Sequence, residues 1–269
     1  MIRNSGLLYF FILIKASILM ISCEKFQYHD YQANVPDPYF SLNSKAMARI
    51  STMKKDTLTI ALIGDCHSYY TATQSVVKRI NSGLNTDFVI QTGDLTDFGT
   101  QREFLLMHGI LADLESPYLA VAGNHDLIGN GKYIYEKMYG VLDFSFTCNE
   151  VRFVFLNTNG REFDFSMDVP DLNWLGSQFS DTINYKQVVV VCHVPPSDDD
   201  FNEELNEPFI RTLKALNRPV LVLHGHHHNF AYTPPDSSGI AFLNASETQD
   251  QSYVLLKLWQ DKHKIVPVR

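Results

Sequence analysis

The chain reads Leu58-Thr59-Ile60-Ala61-Leu62-Ile63-Gly64-Asp65-Cys66-His67 where an apolar run meets a polar block. The run is short and rich in Ile and Leu, which favours a strand buried on both faces of a sheet. The block that follows offers a carboxylate and an imidazole at the point where the strand ends. Side chains that perform chemistry are often found in such loops, because a rigid strand positions them.

Four further apolar runs along the chain end in the same way. The runs are Phe88–Gln91, Tyr118–Val121, Gln187–Cys192 and Val220–Leu223. The polar residues that close them are Gly93-Asp94-Leu95-Thr96-Asp97, Gly123-Asn124-His125-Asp126, His193 and Gly225-His226-His227-His228. Helical patterns lie between several of these runs, and strand–helix–strand alternation implies parallel strands whose carboxyl ends share one edge. We therefore expect all five polar blocks along a single rim.

The remaining patterns extend this arrangement to two sheets. Helices are predicted at Ser75–Ile80, after the capping-box sequence Thr100-Gln101-Arg102-Glu103, and at Asn202–Leu216. A hairpin is predicted from Phe144–Thr147 and Val151–Leu156, and a second β-rich region spans Ile240–Asn244, Tyr253–Trp259 and Lys264–Val268. The mixture predicts the α/β class, as a four-layer α/β/β/α sandwich of two packed mixed sheets flanked by helices.

The amino terminus is typical of an export segment. Arg3 precedes an apolar stretch that is interrupted by Lys15, and a polar, turn-rich region follows Cys23. We interpret residues 1–22 as a signal peptide and residues 23–56 as a tether, in which Pro36 and Pro38 break any regular element. Residues 57–269 are then expected to form the folded domain.

The apolar stretch ends in Leu19-Met20-Ile21-Ser22-Cys23, which resembles the cleavage box of bacterial lipoproteins. Met20 stands where that box usually has leucine. The resemblance implies a lipid anchor at Cys23, a membrane partner and a location at the bacterial cell envelope. Two alternatives stay open. One is an uncleaved signal anchor, although the apolar run is short and broken by charge, and the other is a secretory signal in which Cys23 has no role.

Net charge narrows the class of partner. The chain holds 22 basic and 30 acidic residues, which gives a net charge of −8. Loss of residues 1–22 would remove two basic residues and no acid, so the net charge would become −10. A polyanion is not steered towards such a surface, and nucleic acid is therefore not expected as the main partner.

The polar blocks hold the ligand types that transition metals prefer. Asp65 and His67 are two residues apart at a strand exit, so both side chains project the same way, and the last block repeats that spacing. Asp94 can bridge two cations through its two carboxylate oxygens, and Asn124 adds a neutral oxygen. This mixed oxygen and nitrogen set suits Mn, Fe or Zn better than an all-oxygen calcium or magnesium site.

The order of the blocks is Asp-x-His, Gly-Asp-x-x-Asp, Gly-Asn-His-Asp, His and Gly-His-x-His. This order resembles the calcineurin-like metallophosphoesterase superfamily over about residues 57–245. The blocks at Asp94, Asn124 and His193 are similar to those of class III cyclic-nucleotide phosphodiesterases. The resemblance implies two metal ions and a small phosphoester substrate.

The same resemblance implies a role for each matching residue. One metal would be held by Asp65, His67, Asp94 and His228, and the second by Asp94, Asn124, His193 and His226. His125 would stabilise or protonate the leaving oxygen, and Asp126 would orient the His125 imidazole. A hydroxide that bridges two cations and attacks phosphorus is the chemistry that such a site supplies.

Other polar residues near the blocks are given structural interpretations. Asp97 stands where purple acid phosphatases have an iron-binding tyrosine, so a site of that type is not expected, and we interpret Asp97 as a loop cap. His224 and His227 are interpreted as neighbours of ligands, because they break the two-residue alternation. The acidic run from Ser197 to Leu205 is interpreted as a solvated helix start, with a position on the rim of the site as the alternative. Cys66, Cys148 and Cys192 are expected to pack as small apolar residues.

We therefore predict a binuclear metal-dependent phosphoesterase that hydrolyses phosphodiesters or phosphomonoesters, with diesters favoured by the resemblance. The short segment between His125 and His193 leaves little room for a separate cap domain over the site. Export argues against a role in cytoplasmic cyclic-AMP signalling. The alternatives are a dedicated phosphomonoesterase or nucleotidase, and a non-catalytic surface binding lipoprotein on the same fold.

Overall fold

A computed structural model gives the arrangement of residues 33–83, 85–181 and 183–269. The signal peptide predicted at residues 1–22 and the lipid anchor predicted at Cys23 lie outside these residues. Within the described ranges, no helix is both long and apolar enough to cross a membrane.

The helices and strands alternate along the chain. In chain order the strands are β1 (Leu58–Ile63), β2 (Phe88–Gln91), β3 (Tyr118–Ala120), β4 (Phe144–Cys148), β5 (Val151–Phe155), β6 (Gln187–Val191), β7 (Val220–His224), β8 (Ala231–Thr233), β9 (Ile240–Asn244), β10 (Tyr253–Trp259) and β11 (Lys262–Val268). The α-helices are α1 (Leu42–Ile50), α2 (Tyr70–Ser82), α3 (Gln101–Leu111), α4 (Gly131–Met138), α5 (Leu172–Ser177) and α6 (Glu203–Lys214).

The strands form two mixed sheets. The first has the order β11-β10-β1-β2-β3, in which β1, β2 and β3 are parallel and β10 runs antiparallel to β1. The second has the order β4-β5-β6-β7-β9-β8, in which β5, β6, β7 and β9 are parallel. The register pairs Ile63 with Gln91 and Val191 with Leu223, so neighbouring strands that precede polar blocks end at the same level.

Alternate residues of each strand face opposite sides of its sheet and divide the apolar core into three clusters. Ile60 of β1 and Phe153 of β5 pack between the two sheets. Ile63 packs against helices α2, α3 and α4 on the outer face of the first sheet. Val190 packs against α5 and α6 on the outer face of the second. The four-layer α/β/β/α sandwich is confirmed.

Local sequence signals account for several element boundaries. The predicted strands β1 and β2 coincide with the observed ones, and the predicted hairpin forms β4 and β5. The capping box at the start of α3 is also present. The Thr100 hydroxyl accepts from the backbone N–H of Glu103, and the Glu103 carboxylate accepts from the backbone N–H of Thr100.

The structure differs from the tether predicted for residues 23–56. Residues 42–50 form α1, which lies against β3 and buries Ala46 and Ile50. The buried Asn43 amide donates to the carbonyl of Ala120 and accepts from its N–H, at 2.9 and 3.0 Å. The packed unit therefore begins at Ala33 and not at residue 57. No local pattern indicates this, because the partner of Asn43 is 77 residues away.

Candidate metal centre

The predicted ligands meet on loops at the carboxyl ends of the parallel strands. Asp65 and His67 follow β1, Asp94 follows β2, Asn124 follows β3, His193 follows β6, and His226 and His228 follow β7. Ligand atoms of Asp65, His67 and His228 lie within 4.8 Å of one another, and so do those of Asp65, Asp94 and His193. Strands of both sheets thus contribute to one cluster of carboxylate, amide and imidazole groups.

The predicted first ligand set consists of Asp65, His67 and His228, together with Asp94. The Nε2 atom of His67 lies 3.6 Å from Oδ2 of Asp94. Oδ2 of Asp65 and Nε2 of His67 are buried and have no hydrogen-bond partner among the described residues. Burial also raises the pKa of Asp65. A buried carboxylate oxygen and a buried imidazole nitrogen without partners lower the stability of the fold. A cation bound between them would remove this penalty, so these residues fit a metal ion.

The predicted second ligand set consists of Asp94, Asn124, His193 and His226. Nε2 of His193 lies 3.0 Å from Oδ1 of Asn124 and 3.2 Å from Oδ2 of Asp94. Nδ1 of His226 lies 3.3 Å from the same oxygen of Asn124. These atoms form the mixed oxygen and nitrogen donor set that transition metals prefer.

Asp94 and His193 form a buried pair of opposite charges. Burial raises the pKa of the Asp94 carboxyl, but the His193 imidazole beside it lowers that pKa to about 2. Burial lowers the pKa of His193, but the Asp94 and Asp65 carboxylates raise it to about 10. The electrostatic field of the site therefore strongly favours positive charge between these carboxylates.

Four ligand residues adopt a backbone conformation that is uncommon for residues other than glycine. The φ angles are 45° at His67, 54° at Asp94, 72° at His226 and 59° at His228. A non-glycine residue in the left-handed conformation costs about 1 kcal/mol of conformational free energy. Such residues cluster at functional sites, where the unusual backbone conformation gives a side chain a direction that an extended strand end would not allow. Gly123 contributes in another way, because a Cβ atom at this position would overlap Asp94.

Three of the predicted ligand histidines have an oxygen atom close to Nδ1. Nδ1 of His67 lies 3.1 Å from Oδ1 of Asp97, and Nδ1 of His228 lies 3.3 Å from Oε2 of Glu247. Nδ1 of His193 donates to the carbonyl of Thr92 at 2.8 Å. The Thr92 carbonyl fixes the His193 tautomer and leaves Nε2 of His193 free to bind a metal. The contacts of His67 and His228 are close approaches without a hydrogen bond, because Nδ1 of His67 and Oε2 of Glu247 have no hydrogen-bond partner among the described residues. Asp97 and Glu247 thus lie beside predicted ligand histidines, and the sequence did not predict the position of Glu247.

Comparison with known proteins agrees with this geometry. Residues 58–230 match the model of the calcineurin-like phosphoesterase family. The chain belongs to this family. The phosphoesterase is 25% identical over 195 residues to a Coxiella burnetii protein named "Probable cyclic nucleotide phosphodiesterase", a match that covers 66% of this chain and 78% of that protein. Family membership makes the chain a phosphoester hydrolase, and the ligand clusters indicate divalent metal ions.

Solved structures share the fold of this phosphoesterase. The anchor in the inner membrane complex of Plasmodium has a TM-score of 0.61 at 16% identity, covering 80% of this chain and 85% of its own. A purple acid phosphatase from yellow lupin has a TM-score of 0.58 at 12% identity, covering 80% and 52%. At these identities the likeness shows the fold alone.

The residues expected to serve the leaving group are arranged differently from the prediction. Nδ1 of His125 donates to the carbonyl of Asp97 at 2.8 Å. Asp126 does not bond to the His125 ring. Its carboxylate instead accepts from the backbone N–H groups of Leu95, Thr96 and Gly123 and from the Thr96 hydroxyl, at 2.8–3.1 Å. Asp126 therefore joins the second and third ligand loops, and the carbonyl of Asp97 orients the imidazole.

The acidic run beside α6 also differs from the favoured interpretation. The helix begins at Glu203, and Asp198 and Asp200 precede it. Their carboxylates lie 3.3 and 3.8 Å from Nε2 of His226. These two acids therefore lie at the rim of the candidate metal centre, beside His226, as the alternative interpretation stated. The sequence could have indicated this, because the run follows His193 by only a few residues.

Two further histidines and the cysteines lie outside the ligand sets. His224 is buried, and burial lowers its pKa to about 4, so it is neutral. His227 is exposed and contacts Asp198. The free thiols of Cys66, Cys148 and Cys192 are buried, and Cys66 and Cys192 pack in different apolar clusters.

Proposed function

We propose that this phosphoesterase hydrolyses phosphodiesters with two metal ions, one at each ligand set. The proposal depends on the position of Asp94. Its Oδ2 lies 3.6 Å from Nε2 of His67 in the first set and 3.2 Å from Nε2 of His193 in the second. A carboxylate shared between two sets can hold two cations close together, as phosphoesterase chemistry requires.

The two ions, when bound, would supply a nucleophile at neutral pH and neutralise charge on the phosphoryl oxygens. The chain itself contributes His125 at the edge of the first ligand set. The His125 ring packs edge-on against His67, with 4.9 Å between ring centroids. Because Nδ1 is held by the Asp97 carbonyl, Nε2 is the atom that would meet the leaving oxygen.

The charges around the centre favour a singly charged phosphodiester over a doubly charged monoester. Three carboxylates outside the ligand sets, those of Asp97, Asp198 and Glu247, each lie within 3.3 Å of a ligand imidazole. Arg161, on the neighbouring loop, is paired with Asp200. These carboxylates add negative charge around the ligand histidines, which disfavours a second negative charge on a substrate bound beside them. Two bacterial relatives named as probable cyclic nucleotide phosphodiesterases also support a diester.

We further propose that the enzyme is exported and anchored by a lipid at Cys23. The support is the sequence Leu19-Met20-Ile21-Ser22-Cys23 behind an apolar stretch with one basic residue before it. An enzyme at the bacterial envelope would meet phosphodiesters outside the cytoplasm, so a role in cytoplasmic signalling is not part of the proposal.

One set of measurements on the purified full chain tests the proposed reaction. Metal analysis should find close to two transition-metal ions per chain, and with Mn²⁺ a chromogenic phosphodiester should be cleaved faster than the matched monoester. Asp94→Asn should abolish turnover and lower the metal content. Asp261→Asn, at an exposed turn between β10 and β11, should change neither. One ion or none at saturating metal contradicts the two-metal proposal, and faster cleavage of the monoester contradicts the substrate class.

A further inference from the structure

His226 differs from the other three ligand histidines in the nitrogen that it turns towards the site. Nδ1 of His226 lies 3.3 Å from Oδ1 of Asn124, a member of the same ligand set. Its Nε2 faces the other way and lies 3.3 Å from Oδ1 of Asp198. In the other three it is Nδ1 that lies beside an oxygen outside the ligand sets, at 2.8–3.3 Å. Nδ1 is therefore the nitrogen of His226 that lies towards Asn124 and the second ligand set.

The Asp198 carboxylate is fixed from several directions. Its Oδ1 accepts from the backbone N–H of Asp200 at 2.9 Å, and its Oδ2 lies 2.8 Å from Nε2 of His227. Only about a fifth of the Asp198 side chain is exposed, at 18%. Asp198 can therefore act as a rigid acceptor, which an exposed flexible carboxylate cannot.

Asp198 is better placed than Asp200 for this role. Oδ2 of Asp200 lies 3.8 Å from Nε2 of His226, beyond hydrogen-bonding distance, and the Asp200 carboxylate is paired with the guanidinium of Arg161. Asp198 is the nearer acid, because its Oδ1 lies 3.3 Å from Nε2 of His226. Asp198, the acid that lies beside the predicted ligand His226, thus follows the predicted ligand His193 by only five residues.

We propose that Asp198 is a positioning residue for the second metal. It accepts a hydrogen bond from Nε2–H of His226, selects the tautomer with an unprotonated Nδ1, and prevents the ring from turning its other nitrogen inwards. A ligand histidine whose second nitrogen meets a carboxylate is also a more basic ligand. His227 braces Asp198 from the solvent side, which gives the middle histidine of the Gly225–His228 block a function. The inference rests on the proposed two-metal site.

Metal titration of the full chain tests this role without measuring turnover. With Zn²⁺ in competition with a chromophoric chelator, Asp198→Ala should weaken one of the two binding equivalents by about 10- to 100-fold and leave the other unchanged. Asp199→Ala is the matched control, because Asp199 is the adjacent, exposed acid of the same run. It should bind both ions as the wild type does. His227→Ala should weaken the same equivalent by a smaller factor, and Asp198→Glu should restore part of the loss.

The tautomer of His226 gives a second, independent measurement. In the Zn²⁺-loaded full chain, ¹⁵N correlation spectra of the histidine rings should show the His226 proton on Nε2, with the signal assigned by its loss in His226→Gln. A proton on Nδ1, or an Asp198→Ala variant that binds both ions with wild-type affinity, would overturn the positioning role. A wild-type chain that binds fewer than two ions contradicts the two-metal site itself, so the two failures are distinguishable.

Discussion

Replacement of Gly123 by alanine tests the contact that joins two of the ligand loops. The added Cβ atom would overlap the backbone nitrogen and Oδ1 of Asp94 and would stand 2.8 Å from its Cγ. Non-bonded carbon atoms pack at about 3.5–4.0 Å, so the second and third loops would have to separate by roughly 1 Å. The neighbour is a backbone atom and a buried carboxylate, and neither can rotate out of the way.

The expected effect falls on metal binding more than on folding. Overpacking costs about 1–3 kcal/mol, which a domain of this size tolerates. Asp94 belongs to both ligand sets, so its displacement should lower the affinity for both ions. A misplacement of about 1 Å at a reacting centre costs about 100-fold in rate, and turnover of a chromogenic diester should fall by that factor. Chelator competition, metal analysis and thermal unfolding of the same preparation separate these effects.

Gly109→Ala is the matched control. Gly109 lies within α3, is exposed, and has no atom within 4 Å of the position that a Cβ would take. Alanine there should stabilise the helix by about 1 kcal/mol and leave metal content and turnover unchanged. The reasoning is refuted if Gly123→Ala binds two ions as tightly as the wild type and turns over at the same rate.

Three further predictions concern separate parts of the chain. His125→Ala should lower kcat by about 10²- to 10⁴-fold with the metal content retained; loss of metal would instead make His125 a ligand. Burial raises the pKa of Asp143 from its ordinary value of 3.8 to about 6. The neutral Asp143 carboxyl therefore makes its full contribution to stability below pH 3.8, and this contribution is lost as the pH rises through about 6. Asp143→Asn should therefore raise the free energy of unfolding at pH 8, measured by urea titration, by no more than about 3 kcal/mol. The same titration at pH 4 should show little gain. An equal gain at both pH values would contradict the explanation by a raised Asp143 pKa. Cys23→Ser should move the protein from the membrane fraction to the soluble fraction, whereas unchanged retention would support the signal-anchor alternative.

The features that the sequence predicted correctly are those set by local patterns. Short apolar runs define β1 and β2 to the residue, and the capping box at Thr100 marks the start of α3. Parallel strands then bring the residues after them to one edge without any further information. This is why ligands as far apart in the chain as Asp65 and His228 could be grouped before any coordinates were known.

The features that the sequence did not predict depend on contacts between distant segments. Helix α1 was assigned to a tether because its burial depends on hydrogen bonds to β3. Asp126 follows His125 in sequence, yet its carboxylate turns away to bind the loop after β2. The direction of a side chain in a loop depends on the local φ and ψ angles and on partners that composition does not reveal. The position of Asp198 beside His226 is of the same kind.

The side chain of Asn43 has a consequence for how separate molecules meet. Strand β3 is the edge of the first sheet, and such edges can pair with a strand of another chain. At Ala120 the Asn43 amide makes both hydrogen bonds that an adjoining strand would make, one as donor and one as acceptor. The backbone N–H and C=O of Ala120 are therefore already hydrogen-bonded and are not free to pair with a strand of a second copy. The Asn43 side chain therefore blocks strand pairing between two copies at this position of the edge.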